Sequence, residues 1–258
     1  MPETPFLRLE ALSKSFGGLQ AVDKVSFEVP QGVTFGVIGP NGAGKTTLFN
    51  VISGLYRASS GSVWLMDHRI TALPQHRVAA LGLSRTFQNL QVFGSMSVLD
   101  NVLTGCHRHG HQGIVSALLH LPALKREESE LQAMAHEALE FVGLSALAAE
   151  PAASLPPGRQ RLVEIARALA SRPRLLLLDE PAAGLTTHET ETLGELIGRI
   201  GETGLTTMLI EHDMSLVMEV CAQVAVLDQG RLLALDTPQG IQANPHVIAA
   251  YLGEEDPQ

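Results

Sequence analysis

The sequence runs to 258 residues, enough for one large domain or a core with an attached subdomain. Hydrophobic residues make up 45%, charged residues 17%, and the formal net charge is −9, so no basic stripe is on offer for nucleic-acid phosphates. The densest apolar patch, Leu175–Leu178, is closed by Arg174 and Asp179, far short of a membrane span, and Met1–Arg8 lacks the basic-then-apolar pattern of an export signal. Cys106 and Cys221 lie far apart without CxxC spacing and read as free buried thiols in a reducing compartment.

In chain order, Phe6–Leu12 and Val25–Val29 alternate apolar with polar residues, as half-exposed antiparallel strands do, while Val33–Ile38 is more continuously apolar. Next comes Gly39-Pro40-Asn41-Gly42-Ala43-Gly44-Lys45-Thr46, a complete G-x-x-x-x-G-K-[ST] run that leads into a helix-compatible stretch, Thr46–Ser53, in which Thr47 adds a further phosphate contact. The glycines let the backbone turn its N–H groups inward as an anion nest, and the helix adds its positive dipole end. Lys45 is placed to reach β- and γ-phosphates, and the Thr46 hydroxyl to ligate Mg²⁺. The motif implies a bound nucleoside triphosphate.

Strand character resumes at Ser62–Met66 after Ser59-Ser60-Gly61. The middle, Val98–Val142, is expected to be helical on Leu118, Leu119, Leu121, Leu124, Leu131, Ala135, Ala138, Leu139 and Val142, with a break at Pro122. His107, His109 and His111 sit among glycines with no accompanying carboxylate or cysteine, and read as a solvated loop rather than a metal site. The last third alternates strands (Leu175–Leu178, Thr206–Ile210, Val224–Leu227) with helices (Thr187–Ile200, Met214–Val220), which predicts a parallel sheet with helices on both faces. Pro238–Leu252 suggests short helical pieces and Gly253–Gln258 a frayed tail. The leucine strand ends in Asp179 and Glu180, at the carboxyl edge where open α/β sheets bind ligands. Asp179 is expected to hold Mg²⁺ through water, and Glu180 to polarise an attacking water as base or as orienting acceptor.

Together these residues resemble the ATP-binding cassette family of transport ATPases. The resemblance implies an α/β phosphate-loop NTPase fold with a mixed, mainly parallel sheet core, an N-terminal antiparallel β subdomain and a helical subdomain. It implies one domain over 1–258, with the helical part at about 89–165 and a C-terminal helical extension at about 238–258. Gln88, in Ser84-Arg85-Thr86-Phe87-Gln88-Asn89-Leu90, looks like the family's glutamine loop, which touches metal and water and senses a membrane partner. His212, after the strand ending at Ile210, looks like the switch histidine that contacts the γ-phosphate. Phe16 occupies the position where relatives stack a ring on adenine, the alternative being a core phenylalanine. The apolar cluster Phe87, Leu90, Val92 and Phe93 beside Gln88 either docks a permease or packs on the helical subdomain.

The departure lies at the signature, usually Leu-Ser-Gly-Gly-Gln, which in the family completes the site on the opposite subunit. Here it reads Leu155-Pro156-Pro157-Gly158-Arg159: Pro156 replaces the serine hydroxyl, Pro157 has no N–H to offer, Gly158 keeps its backbone donor, and Arg159 offers a charge-assisted contact. Thr186 stands where the family usually has Asp or Asn. The Arg85-Thr86-Phe87-Gln88-Asn89 loop, Met96–Val102, the insert from Gly105 to about Arg126 and the ending Asn244–Gly253 are similar to one ATPase subunit of branched-chain amino-acid importers. That likeness implies ATP and Mg²⁺ as cofactors, a second and different ATPase subunit, two membrane permeases and, indirectly, an extracytoplasmic solute-binding protein. It implies a peripheral place on the cytoplasmic face of the cell membrane. The competing readings are a non-transport cassette ATPase, against which stand the single cassette and the lack of a long coiled-coil insertion, and a nucleotide clamp with weak hydrolysis.

Overall fold

The computed structural model describes residues 5–88, 90–107 and 122–252. Asn89, His109, His111, the leucines at 118, 119 and 121 and the tail from Gly253 lie outside the described residues. The hairpin of β1 (Leu7–Phe16) and β2 (Leu19–Val29) turns at Gly17, whose φ of 56° suits a residue without a Cβ. With β4 (Ser60–Leu65) and β5 (His68–Arg69) it makes a four-stranded antiparallel sheet in the order β2-β1-β4-β5. The second sheet has six strands in the order β10-β9-β3-β8-β7-β6. These are β3 (Thr34–Ile38), β6 (Leu83–Arg85), β7 (Leu175–Asp179), β8 (Thr206–Ile210), β9 (Gln223–Asp228) and β10 (Arg231–Asp236). All neighbours run parallel except β10, which returns antiparallel along β9.

The continuous apolar runs have a direct cause. Every residue of β3, β7 and β8 is buried, because both faces of this sheet are covered. Period-2 side-chain alternation then divides each strand between two cores. Leu175, Leu177, Phe35, Val37, Met208 and Ile210 face the antiparallel sheet and α1 (Lys45–Ile52). Leu176, Leu178, Ile38 and Leu209 face a helical layer instead. That layer contains α3 (Val98–Cys106), α4 (Pro122–Phe141), α5 (Pro157–Ala170), α6 (Thr187–Glu202) and α7 (Met214–Val220). One face is therefore covered largely by a second sheet, more than by helices. The short α2 (Gln75–Ala80) precedes β6, and α8 (Pro238–Gln242) and α9 (Pro245–Leu252) close the described chain. Pro122 opens α4, where its missing N–H costs nothing.

Register brings the site together. Val37 pairs with Ile210 and Ile210 with Asp179, so β3, β8 and β7 end level at one edge of the sheet. The segments leaving that edge begin at Gly39, Glu211 and Glu180.

Candidate functional site: a phosphate loop facing a held glutamate

The loop after β3 enters α1 through Gly44, whose left-handed backbone (φ 96°) forms the helix N-cap. A Cβ there would run into the Ala21 carbonyl, so glycine is the one residue that fits. Lys45 is buried, and its ammonium donates to the carbonyls of Gly39 at 2.6 Å and Pro40 at 2.9 Å, folding the cation back over its own loop. A groove of about 640 Å³ is lined by Phe16, Gln20, Asn41, Gly42, Ala43, Gly44, Lys45, Thr46 and Thr47, with Gln88 and Glu180 in the same wall. Phe16 is 42% exposed, not core, and meets Tyr56 edge-on at 5.3 Å while the Lys14 ammonium lies 4.6 Å from its ring centre.

Glu180 is buried in the same groove and held from two sides. Its backbone sits at φ 49°, a left-handed conformation that costs a non-glycine residue roughly 1–2 kcal/mol. That twist follows directly from β7, and the Glu180 N–H still reaches the Ile210 carbonyl at 2.9 Å. The carboxylate accepts from Gln88 Nε2 at 2.6 Å on one oxygen and pairs with His212 Nε2 at 2.8 Å on the other. Gln88, Glu180 and His212, read from separate stretches of sequence, thus form one hydrogen-bonded unit.

Asp179 is 1% exposed, and burial pushes its carboxyl above the ordinary value although Arg85 opposes the shift. One oxygen is held by Arg85 Nη2 at 2.6 Å; the other, Oδ1, is buried with no partner. An unsatisfied carboxylate oxygen at the sheet edge fits a hard, oxygen-seeking cation such as Mg²⁺, which is commonly bound by one or two carboxylates plus phosphate oxygens. Among the described residues no three His, Cys, Asp or Glu side chains cluster to hold a metal unaided.

The signature residues lie elsewhere. Leu155 is buried, Pro156 is the N-cap of α5, Pro157 is its first residue, and Pro156, Pro157 and Arg159 are exposed. None of them lines the groove. Gly158 is buried against the Glu189 carboxylate, where a Cβ would collide. Thr186 caps α6 and forms a capping box with Glu189, a role that asks only for a short oxygen-bearing side chain. Of the apolar cluster near Gln88, Val92 packs into the helical core, while Phe93 is 52% exposed.

Three side chains had no assigned role in the sequence. Arg85 ends β6 and reaches Asp179. Glu211, 4% exposed, accepts from the Ala182 N–H at 2.7 Å and the His212 N–H at 3.0 Å, bracing the turns that carry Glu180 and His212. Arg161 donates to the Phe87 and Gln88 carbonyls at 2.9 and 3.1 Å and pairs with buried Glu164 at 2.7 Å, tying the glutamine loop to α5. A charge at the end of an apolar strand marks Glu211; nothing local marks the other two.

A strand, glycine loop and helix within a buried parallel sheet, with an acidic pair at the end of β7, one strand away across β8, define an ATP-binding cassette. The chain belongs to the ABC transporter family, whose model matches residues 22–183, and is an ATPase component of that class. A second family model, described as branched-chain amino acid ATP-binding cassette transporter, matches residues 231–257. The chain is 44% identical to the high-affinity branched-chain amino acid transport ATP-binding protein BraF of Pseudomonas aeruginosa, over 97% of this chain and 98% of that one. It is 43% identical to LivG of Escherichia coli K12, a protein of the same description, with the same coverage. Among solved structures, a nucleotide-free ATP-binding cassette from an ABC transporter superposes with a TM-score of 0.84 at 32% identity, over 97% of this chain and all of that one. The ADP conformation of an ABC transporter cassette gives the same score and identity.

Proposed function

We propose that this chain is the ATP-hydrolysing subunit that energises a membrane importer of branched-chain amino acids. Hydrolysis is carried by one observation: Glu180, held between Gln88 and His212, shares a groove with the phosphate loop. The solute class is supported by relatives of that description at 44% and 43% identity and by the C-terminal match over residues 231–257. In this reading residues 39–47 cradle the phosphates, Phe16 stacks on the base, and Lys45 turns from its loop carbonyls to the β- and γ-phosphates. Thr46, Gln88 and Asp179 hold Mg²⁺, which when bound neutralises charge on the phosphate oxygens. Glu180 orients or deprotonates the attacking water, and His212 contacts the γ-phosphate while keeping the Glu180 carboxylate in place. Leu155, Pro156, Pro157, Gly158 and Arg159 complete the opposite subunit's site.

We read residues 1–258 as one cassette domain, with a helical subdomain at about 89–165 and a C-terminal extension at about 238–258. No helix among the described residues is long and apolar enough to cross a membrane. Attachment at the cytoplasmic face therefore falls to two permease subunits, docked around Gln88 and exposed Phe93, with a different ATPase as dimer partner.

The test separates binding from chemistry. Lys45→Ala removes a ground-state phosphate contact and is expected to abolish ATP binding nearly completely. Glu180→Gln is expected to keep binding and stop turnover, since its carboxylate acts on the water. Single-turnover hydrolysis at the wild-type rate by Glu180→Gln would remove the glutamate from its role. Uptake of branched-chain amino acids by the complex reconstituted with its permeases checks the solute.

A further inference from the structure

Arg85 is more deeply built into the site than its place at the end of a three-residue strand suggests. Its side chain is 6% exposed and lies between two aromatic rings, with the guanidinium carbon 5.8 Å from the Phe49 centroid and 5.4 Å from that of Phe87. One nitrogen, Nη2, holds Asp179 Oδ2 at 2.6 Å. The other, Nη1, donates to Asn50 Oδ1 at 2.7 Å and to Ser53 Oγ at 3.0 Å. Asn50 lies in α1 and Ser53 is its C-cap, and this helix begins with Lys45 and Thr46. One rigid fork thus spans the phosphate-loop helix and the strand end that carries Asp179.

We infer that Arg85 is a positioning residue for the metal site: by fixing Oδ2 of Asp179 against α1, it leaves Oδ1 turned to the metal at a set distance from Thr46. This rests on the ATP and Mg²⁺ reading above. Asp179 Oδ1 is buried and unpartnered, so the carboxylate presents one free acceptor, and Arg85 decides which oxygen that is. The guanidinium is held by two partners on α1 and two rings, so it stays in place when the site fills.

Position and charge predict opposite signs. A cation beside a metal ligand repels a divalent ion, so an Arg85 acting through charge alone would, once removed, let the metal bind more tightly. An Arg85 that orients the ligand would, once removed, let the carboxylate swing and the metal bind more weakly. Loss of a partner that orients a ligand typically costs about 10–100-fold in metal affinity. Lysine separates the two further. Arg85→Lys keeps the charge but cannot hold Asp179 and α1 at once.

The experiment uses the full chain, with Mn²⁺ as probe and a non-hydrolysable ATP analogue at saturation, free Mn²⁺ being counted by electron paramagnetic resonance. Analogue binding is measured separately in chelator, and folding is checked by thermal melting. Arg85→Gln and Arg85→Lys are both expected to weaken Mn²⁺ by roughly tenfold or more, with metal-free analogue affinity unchanged. Asn50→Ala keeps the Asp179 pair and loosens only its anchor to α1. It is expected to weaken Mn²⁺ to a smaller degree, and it serves if neither Arg85 variant folds. Unchanged or tighter Mn²⁺ binding in a folded Arg85 variant, or in Asn50→Ala where neither folds, overturns the inference. Wild-type chain that binds the analogue without recruiting Mn²⁺ would instead overturn the metal reading on which it rests.

Discussion

At the scale of single residues, Glu211 is a buried charge of the site that backbone groups hold. The Glu211 carboxylate is met by the N–H groups of Ala182, His212 and Asp213, and among the described residues no salt bridge pairs it with a cationic side chain. Burial raises its pKa above the ordinary 4.5, and those N–H groups offset only part of the shift. The folded state therefore binds the Glu211 proton more tightly than the unfolded state does. Stability then falls as pH rises from the ordinary glutamate value to the raised one, and levels off above it. Glu211→Gln removes this contribution to the slope, although Asp179 and Glu164, raised by the same cause, leave part of it. The amide also sets an N–H₂ donor against backbone donors, an unsatisfied contact worth about 1–3 kcal/mol. Denaturant midpoints followed from acid to neutral pH are expected to be lower in the variant, by a margin that narrows as pH rises. A slope as steep as that of the wild type would show that Glu211 does not titrate across this range.

At the scale of elements, α5 and the glutamine loop form one mechanical piece through Arg161 and Glu164. Arg161→Met leaves Glu164 buried without its closest partner, which is expected to cost about 3–5 kcal/mol. Arg161→Met with Glu164→Leu removes both charges and is expected to recover much of that loss in a thermal melt. Hydrolysis is expected to stay low in both, because the Phe87 and Gln88 carbonyls have lost the guanidinium that sets the loop. Full recovery of turnover in the double variant would confine the pair to stability. The same elements explain what could be read from sequence. Strands β3, β7 and β8 are buried on both faces and announce themselves as apolar runs, and the glycine loop and Asp179-Glu180 follow them locally. Strand β6 is only Leu83-Ser84-Arg85 and owes its existence to pairing with β7, so no local period reveals it. Strand β10 is an exposed edge, so no buried apolar run marks it. Arg85 escaped notice because its partner is 94 residues away in sequence, a juxtaposition that only strand order creates.

At the scale of the whole molecule, the double proline becomes informative. Pro157 is the first residue of α5, where a helix has an N–H to spare, and Pro156 caps it without a side-chain hydrogen bond. The fold thus loses little from this signature, and this chain's own groove contains none of it. In the proposed dimer, any cost would fall on the site that the signature completes in the partner subunit. In the proposed heterodimer this chain's phosphate loop, with Lys45, Thr46, Gln88, Asp179, Glu180 and His212, is completed by the partner's signature and is expected to be the fast site. The partner's loop is completed by Pro156, Pro157 and Gly158. A missing transition-state donor costs about 10²–10³ in rate where it acts like an oxyanion-hole group, and exposed Arg159 offers a charge-assisted contact that would recover part of it. Pro156→Ser with Pro157→Gly is expected to speed the partner's site alone and to leave this chain's site at its wild-type rate. Single-turnover hydrolysis, with the catalytic glutamate changed to glutamine in one subunit at a time, assigns the rate to a site. Were Glu180→Gln to leave most turnover intact while the partner's change abolished it, the asymmetry would run the other way, and the two prolines would have to be read as compatible with a fully active signature.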